Sequence, residues 1–133
     1  MNQEQSRKVW TVSELITWGK NYLEARKIES PRLSIELLLC EILSCSRLDL
    51  YLNYDKPLSV RELNELKSKI KALACGQPLQ FILGWAQFLN YRISLGRRVF
   101  IPRPETEILV KLITDTLKSR KDEPLLILDI GCG

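Results

Sequence analysis

The 133-residue sequence contains no histidine and no C-x-x-C pair among its four cysteines, Cys40, Cys45, Cys75 and Cys132. Without histidine it lacks the commonest general base, which argues against a self-contained hydrolytic site. Without the usual ligand spacing a zinc site is not expected, and we predict no metal site. Two of the cysteines fall in apolar helical patterns, so we expect the thiols to be buried and unpaired.

Long apolar runs are also missing. Runs such as Leu37–Cys40 and Leu125–Leu128 are far too short to span a bilayer. The first fifteen residues contain no apolar core of a secretory signal. We therefore predict no membrane association and a cytoplasmic location, while an apolar content of 45% is enough for a packed core.

The net charge of +4 is too small to indicate nucleic-acid binding, but the charge is unevenly distributed. Residues 77–103 contain four arginines and no acidic residue; these are Arg92, Arg97, Arg98 and Arg103. Two interpretations remain open: solvated arginines on an exposed hairpin, which we favour, or a surface that faces an anionic partner.

Residues 11–76 carry repeated signals for helix starts. Capping boxes begin at Thr11 and Ser59, and Ser46 is predicted to cap a short helix through Leu52. Ser30 is predicted to be the N-cap of a helix with Pro31 at its first position. The predicted apolar face of that helix consists of Leu33, Leu37, Leu38 and Ile42. Short connections between such helices indicate a compact antiparallel bundle, closed at Gly76.

The apolar period changes after Gly76. Alternate apolar residues over 79–85 and 91–95 predict a β-hairpin or small meander. Pro104 can begin a helix that runs to about Ser119, and Leu125–Ile130 is typical of a strand buried in a parallel sheet. The predicted class is mainly α, with three segments: a helical domain over 1–76, a hairpin linker over 77–103, and the start of an α/β domain over 104–133.

Two stretches could contribute to a cofactor site. Asp129 ends the predicted strand, and Gly131-Cys132-Gly133 would let backbone amides approach a ligand closely. By this argument alone NAD, FAD and S-adenosylmethionine all remain open. Arg103 stands between two prolines, with Glu105 at the following helix start. That turn is either a rigid joint or one wall of a pocket.

Four stretches in order resemble one family. They are "ESPRLSIELLLCEIL", "GQPLQFILGWAQFLNYRISL", "RVFIPRPETEILV" and "ILDIGCG". Together they resemble the protein-glutamine N5-methyltransferases that modify peptide chain release factors (PrmC, also called HemK). The resemblance implies a class I methyltransferase with a Rossmann-like domain, S-adenosylmethionine as cofactor, and the glutamine of a release factor's Gly-Gly-Gln motif as substrate. It also implies cofactor-binding positions, at Phe100, Arg103, Glu105, Asp129, Gly131, Cys132 and Gly133.

The catalytic Asn-Pro-Pro-Tyr motif of that family does not occur in the sequence, so no catalytic residue is predicted. We expect the chain to be the N-terminal portion of such an enzyme, ending within its first cofactor motif and inactive alone. The helical domain would recognise the release factor, without direct nucleic-acid binding. Two alternatives are a stand-alone helical protein-binding module and the start of an NAD-dependent dehydrogenase. Residues 121–133 are expected to be disordered, or ordered only against another chain, which would allow self-association.

Overall fold

The computed structural model describes residues 9–96, 99–118, 124 and 126–131. They form six helices and two strands: α1 (Val12–Glu24), α2 (Pro31–Leu43), α3 (Arg47–Leu52), α4 (Val60–Ala74), α5 (Leu79–Leu83), β1 (Trp85–Phe88), β2 (Tyr91–Ser94) and α6 (Pro104–Lys118). The chain divides into two compact units, one ending at Leu83 and the other starting at Gly84. The predicted mainly α class with a hairpin is confirmed. Among the described helices none combines the length and apolar character needed to cross a membrane.

Helix α2 lies at the centre of the first unit and contacts α1, α3, α4 and α5. Because neighbours surround it, the predicted single apolar face is wrong: Leu33 is exposed, whereas Ile35 and Leu39 are fully buried. The buried apolar side chains of the unit come from every helix and one loop: Val12, Leu15, Ile16, Leu23, Ile35, Leu38, Leu39, Leu50, Leu58, Leu66, Ile70, Leu73 and Leu83. This shared burial is the main stabilising term of the unit.

Helices α1 and α2 approach closely at Gly19. A Cβ atom at this position would lie 2.5 Å from Cδ1 and 2.7 Å from Cγ1 of Ile35. Those distances are well inside van der Waals contact, so any side chain here would push the helices apart. Gly19 therefore sets the spacing between the two helices.

The predicted capping boxes at Thr11 and Ser59 and the predicted cap at Ser46 are present, and the Ser46 cap is itself a capping box with Asp49. The start of α1 is satisfied further by the loop between α3 and α4. The amides of Val12 and Ser13 donate to the carbonyl oxygens of Lys56 and Tyr54, at 3.1 and 3.0 Å. These two amides have no partner within the helix, so the loop supplies acceptors that the helix lacks.

Ser30 is the N-cap residue of α2 as predicted, but it does not cap the helix through its side chain. Its backbone is left-handed (φ +48°), and its side chain makes no cap hydrogen bond. The carbonyl oxygen of Ser30 instead accepts from both the amide and the hydroxyl of Ser34. Pro31 occupies the first helical position as predicted, where its missing N–H removes one unsatisfied donor.

Helix α1 ends in a Schellman motif with an unusual residue at its left-handed position. The amide of Lys27 donates to Glu24 and that of Ile28 donates to Leu23, with φ +58° at Lys27. The same pattern ends α4 around Gly76, where φ is +90°. Glycine adopts this conformation without a Cβ penalty, whereas lysine does not.

A buried carboxylate joins α2 to α3. The side chain of Glu36 is 1% exposed, and its oxygens accept from Arg32 at 2.8 Å, Arg47 at 2.6 Å and the hydroxyl of Tyr51 at 2.6 Å. Burial alone would raise the pKa of Glu36, but these donors outweigh it and hold the pKa below its ordinary value. A buried charge is tolerated when it is paired and hydrogen-bonded in this way. The helical pattern of the residues did not predict this cluster.

The cysteines depart in part from expectation. Cys40 and Cys45 are half-buried free thiols, but Cys75 is exposed because it follows the last turn of α4. Burial, followed by the neighbouring Cys45, raises the pKa of Cys40 to about 11, so its thiol is protonated at neutral pH. Cys132 lies outside the described residues.

The second unit begins with the hairpin. Strands β1 and β2 are antiparallel, with Trp85 opposite Ser94 and Phe88 opposite Tyr91, and the guanidinium of Arg92 lies 3.7 Å from the centre of the Trp85 ring. The strand pattern predicted from residue 79 is wrong at its start, because residues 79–83 form α5. Their amides find local acceptors, beginning with the carbonyl oxygen of Pro78, and α5 packs against α2 and α4.

Helix α6 has the predicted bounds, but the strand predicted at Leu125–Ile130 is not formed in the described residues. Residues 126–130 have no regular structure, and their apolar side chains are exposed. A strand needs a paired neighbour to satisfy its amides, and the described part of the chain offers none. Residues 121–123, Leu125, Cys132 and Gly133, on which the self-association prediction also rests, lie outside the described residues.

Replacing Glu36 with glutamine should destabilise the first unit. At pH 7 we expect Glu36→Gln to lower the free energy of unfolding by about 2 kcal/mol, because Arg47 loses its ionised partner. Since the pKa of Glu36 is depressed by folding, the ionised form stabilises the fold above the unfolded pKa of about 4.3. This contribution is lost as pH falls through the lower folded pKa.

Urea denaturation at several pH values measures this effect, with Glu24→Gln as the matched control. Glu24 is exposed, and its ion pair with Lys20 at 3.9 Å should contribute less than about 1 kcal/mol. The difference between Glu36→Gln and wild type should shrink below pH 4. Equal losses in the two variants, or a difference that does not change with pH, would contradict the assigned role of Glu36.

The Schellman motifs at Lys27 and Gly76 provide a second, reciprocal prediction. Lys27→Gly should raise the free energy of unfolding by about 0.5–1 kcal/mol, and Gly76→Ala should lower it by about 1 kcal/mol. No atom lies within 4 Å of a Cβ built on Gly76, so only backbone strain changes there. Thermal unfolding followed by circular dichroism measures both, and a destabilised Lys27→Gly variant would refute the reasoning.

Candidate functional site

The proline turn before α6 is the first part of the predicted cofactor site. Phe100 is 89% exposed, and Arg103 and Glu105 are exposed as well. The carbonyl oxygen of Arg103 accepts from the amide of Thr106 at 3.0 Å, which begins the first turn of the helix. Glu105 lies in that turn, where the partial positive charge of a helix start favours a carboxylate.

The glycine segment is the second part. Asp129 is exposed, and Gly131 adopts φ +79° with no atom within 4 Å of the place where a Cβ would stand. This conformation is readily available only to glycine, and the open space lets a ligand approach the backbone. The geometry at Gly131 therefore fits the predicted role, while Cys132 and Gly133 lie outside the described residues.

The structure does not bring the two parts together. In residues 99–118 and 126–131, no hydrogen bond or ion pair links the proline turn to Asp129 or Gly131. Nor does any group of three or more potential metal-binding side chains occur in the described portion of the chain. The predicted cofactor residues are exposed segments here, and their joint role stays a prediction.

The basic segment is only partly described. Arg92 is held over the Trp85 ring and Arg103 is exposed, while Arg97 and Arg98 lie outside the described residues. Both interpretations of the four arginines stay open.

A row of side chains on and beside α1 was not predicted. We call it the α1 aromatic face: the rings of Trp10, Trp18 and Tyr22, and the guanidinium of Arg26. The Trp18 and Tyr22 rings stack with centroids 5.1 Å apart, and Trp10 meets Trp18 edge-on at 6.3 Å. The guanidinium of Arg26 lies 3.6 Å from the centre of the Tyr22 ring. The spacing of four residues between Trp18, Tyr22 and Arg26 was the available signal, because such residues share one helix face.

A groove of about 300 Å³ adjoins this face between α1 and α4. Its walls are largely aliphatic and aromatic, and its lining residues are Trp10, Leu15, Trp18, Leu63, Asn64, Leu66, Lys67 and Ile70. Trp18 is 41% exposed, so a large aromatic ring is available to a partner at the edge of the groove. Exposed apolar surface rimmed by polar groups is typical of interaction sites.

The first unit is similar to a known domain family. Residues 14–84 match the PrmC N-terminal domain, a span that coincides almost completely with the helical unit. The chain is 39% identical over 130 residues to a release factor glutamine methyltransferase of Chlorobaculum tepidum, covering 95% of this chain and 44% of that protein. It is 35% identical over 126 residues to the protein of that name in Geobacter sulfurreducens, covering 95% and 43%.

A third relative of the same name, from Rhodopirellula baltica, is 34% identical over 126 residues, covering 93% and 43%. The chain thus spans less than half the length of the curated relatives it matches. Because the matching domain covers more than half of this chain, the chain belongs to the PrmC family, the release factor glutamine methyltransferases.

Proposed function

We propose that these residues form the N-terminal part of an S-adenosylmethionine-dependent protein methyltransferase. Its substrate would be the side-chain amide nitrogen of glutamine in the Gly-Gly-Gln motif of a peptide chain release factor. The observation that carries the proposal is the match of the helical unit to the PrmC N-terminal domain, together with relatives named for this reaction. The dehydrogenase alternative has no comparable support.

The two units would have different roles. The first has its own buried core, satisfied helix starts and an exposed aromatic groove, which suits a domain that binds a protein partner. The second carries the hairpin and the segments that match the family's cofactor motif. We propose that the first unit recognises the release factor and the second begins the methyltransferase domain.

The described cofactor segments fit S-adenosylmethionine by their chemistry. Gly131 would offer its amide at a position free of side-chain atoms, and Asp129 would accept hydrogen bonds from the ligand. Phe100, Arg103 and Glu105 would form a neighbouring wall, with Cys132 and Gly133 continuing the loop. When bound, the cofactor supplies an electrophilic methyl group on a sulfonium centre.

In this family the glutamine amide would be positioned by an Asn-Pro-Pro-Tyr motif. This chain has no histidine and no Asn-Pro-Pro-Tyr motif. The residues present can bind and orient, and we assign them no proton transfer and no catalytic role.

Purified residues 1–133 should therefore bind a release factor but not methylate it. With unmodified release factor and methyl-labelled S-adenosylmethionine, we expect no label in the release factor above background. A full-length member of the family serves as the positive control in the same buffer. Label transfer by residues 1–133 would show that the chain holds a catalytic group that we have not identified.

In a full-length protein carrying these residues, Gly131→Ala should weaken S-adenosylmethionine binding by at least about tenfold. A side chain is strained at φ +79° and obstructs the approach of the ligand to the backbone. Gly96→Ala is the matched control, because its Cβ would meet only Val99 at 3.6 Å, an ordinary contact. Calorimetric titration with the cofactor measures both, and unchanged affinity in Gly131→Ala would exclude this glycine from the cofactor loop.

A further inference from the structure

We propose that the groove between α1 and α4, with the α1 aromatic face, docks an acidic segment of the release factor that inserts an apolar side chain. The inference rests on the proposed function and assigns a surface and a partner chemistry to its recognition step. It would place the recognition surface on the outer sides of two helices in the first unit.

The aromatic rings are positioned before any partner arrives. Trp18 is stacked on Tyr22 and met edge-on by Trp10, which limits its rotamers. A side chain ordered in the free protein loses little entropy on binding. Tryptophan, tyrosine and arginine are the residue types that contribute most at protein interfaces, and all three occur here.

The groove has the shape of a receptor for a side chain. Its volume of about 300 Å³ is bounded by Leu15 from α1 and by Leu63, Leu66 and Ile70 from α4. These aliphatic walls favour a bulky apolar side chain, because burial of apolar surface is the gain available to such a partner.

The charges around the groove indicate the charge that the partner segment would carry. Lys67 lines it, Lys71 lies one turn further along the same side of α4, and Arg26 ends the aromatic face. Glu14 lies near Trp10 and Trp18, where one of its oxygens accepts from the amide of Thr11 at 3.0 Å, but it is not among the residues that line the groove. A basic rim attracts an acidic segment and raises its rate of association.

Two other occupants fit less well. In a symmetric contact with a second copy, Lys67 and Lys71 would be brought toward their own counterparts, so like charges would oppose. Single-stranded RNA would need open ring faces on which bases stack, but Trp18 and Tyr22 already stack on each other.

Isothermal titration of residues 1–133 with unmodified release factor tests the proposal. Trp18→Ala should weaken binding at least about tenfold, and Lys67→Glu about three- to tenfold with a reduced dependence on salt. The matched controls are Tyr91→Ala, an exposed aromatic of the hairpin, and Lys111→Glu, an exposed lysine of α6. Both controls should bind as wild type does, and circular dichroism should show that every variant is folded.

The outcomes separate this proposal from the proposed function. Wild-type binding that neither groove variant weakens would overturn the surface and leave release-factor recognition intact. No binding by the wild-type chain would overturn both recognition by the first unit and its assigned surface. A dimer, or binding to a single-stranded RNA oligonucleotide, that Trp18→Ala abolishes while release-factor binding is unchanged would assign the face to that other occupant.

Discussion

The carboxylate of Glu36 is the interaction on which the arrangement of the first unit depends. It is buried in the central helix and holds α3 through Arg47 and Tyr51. The ring of Tyr51 meets Tyr54 edge-on at 5.2 Å, and the carbonyl oxygen of Tyr54 in turn accepts from the first turn of α1. One buried charge thus fixes a short helix, the loop after it, and the start of the helix that carries the aromatic face. A buried ion pair is a weak source of net stability but is well suited to specifying one arrangement among several.

The two units differ in how much of their apolar surface they bury. The first buries side chains from each of its helices around α2, and its helix starts find acceptors within the unit. In the second, α6 has no buried residue, and its apolar positions Ile108, Leu109, Leu112 and Ile113 are exposed. An amphipathic helix is stabilised mainly by packing of its apolar side, which the described residues do not supply. In the first unit, therefore, the observed packing explains where the apolar residues stand in the sequence.

Helix starts, which depend on residues close together in the sequence, were well predicted. Burial and packing, which depend on residues far apart in the sequence, were not. The capping boxes at Thr11, Ser46 and Ser59 depend on residues three apart, so their sequence pattern is nearly sufficient. The strand assigned to residues 79–83 failed because an alternating pattern over five residues also suits a short helix packed on two others. Glu36 was missed because nothing in its local pattern distinguishes a buried carboxylate from an exposed one. The proline turn and Gly131 were predicted to contribute to one cofactor site, which stays a prediction, because no hydrogen bond or ion pair joins them in the described residues.

The α1 aromatic face connects these observations to function. A tryptophan that is 41% exposed on a helix whose other side is fully buried gains nothing for the core that a leucine would not supply. Its ring lies at the edge of the groove between α1 and α4, and exposed apolar surface rimmed by polar groups is typical of interaction sites. The same helix is spaced by Gly19 and capped by the loop that Glu36 positions, so the ring is presented on a rigid support. In the proposed function, rigid presentation of an aromatic side chain beside a basic rim would favour recognition of a protein substrate, because it reduces the entropy lost when the partner binds.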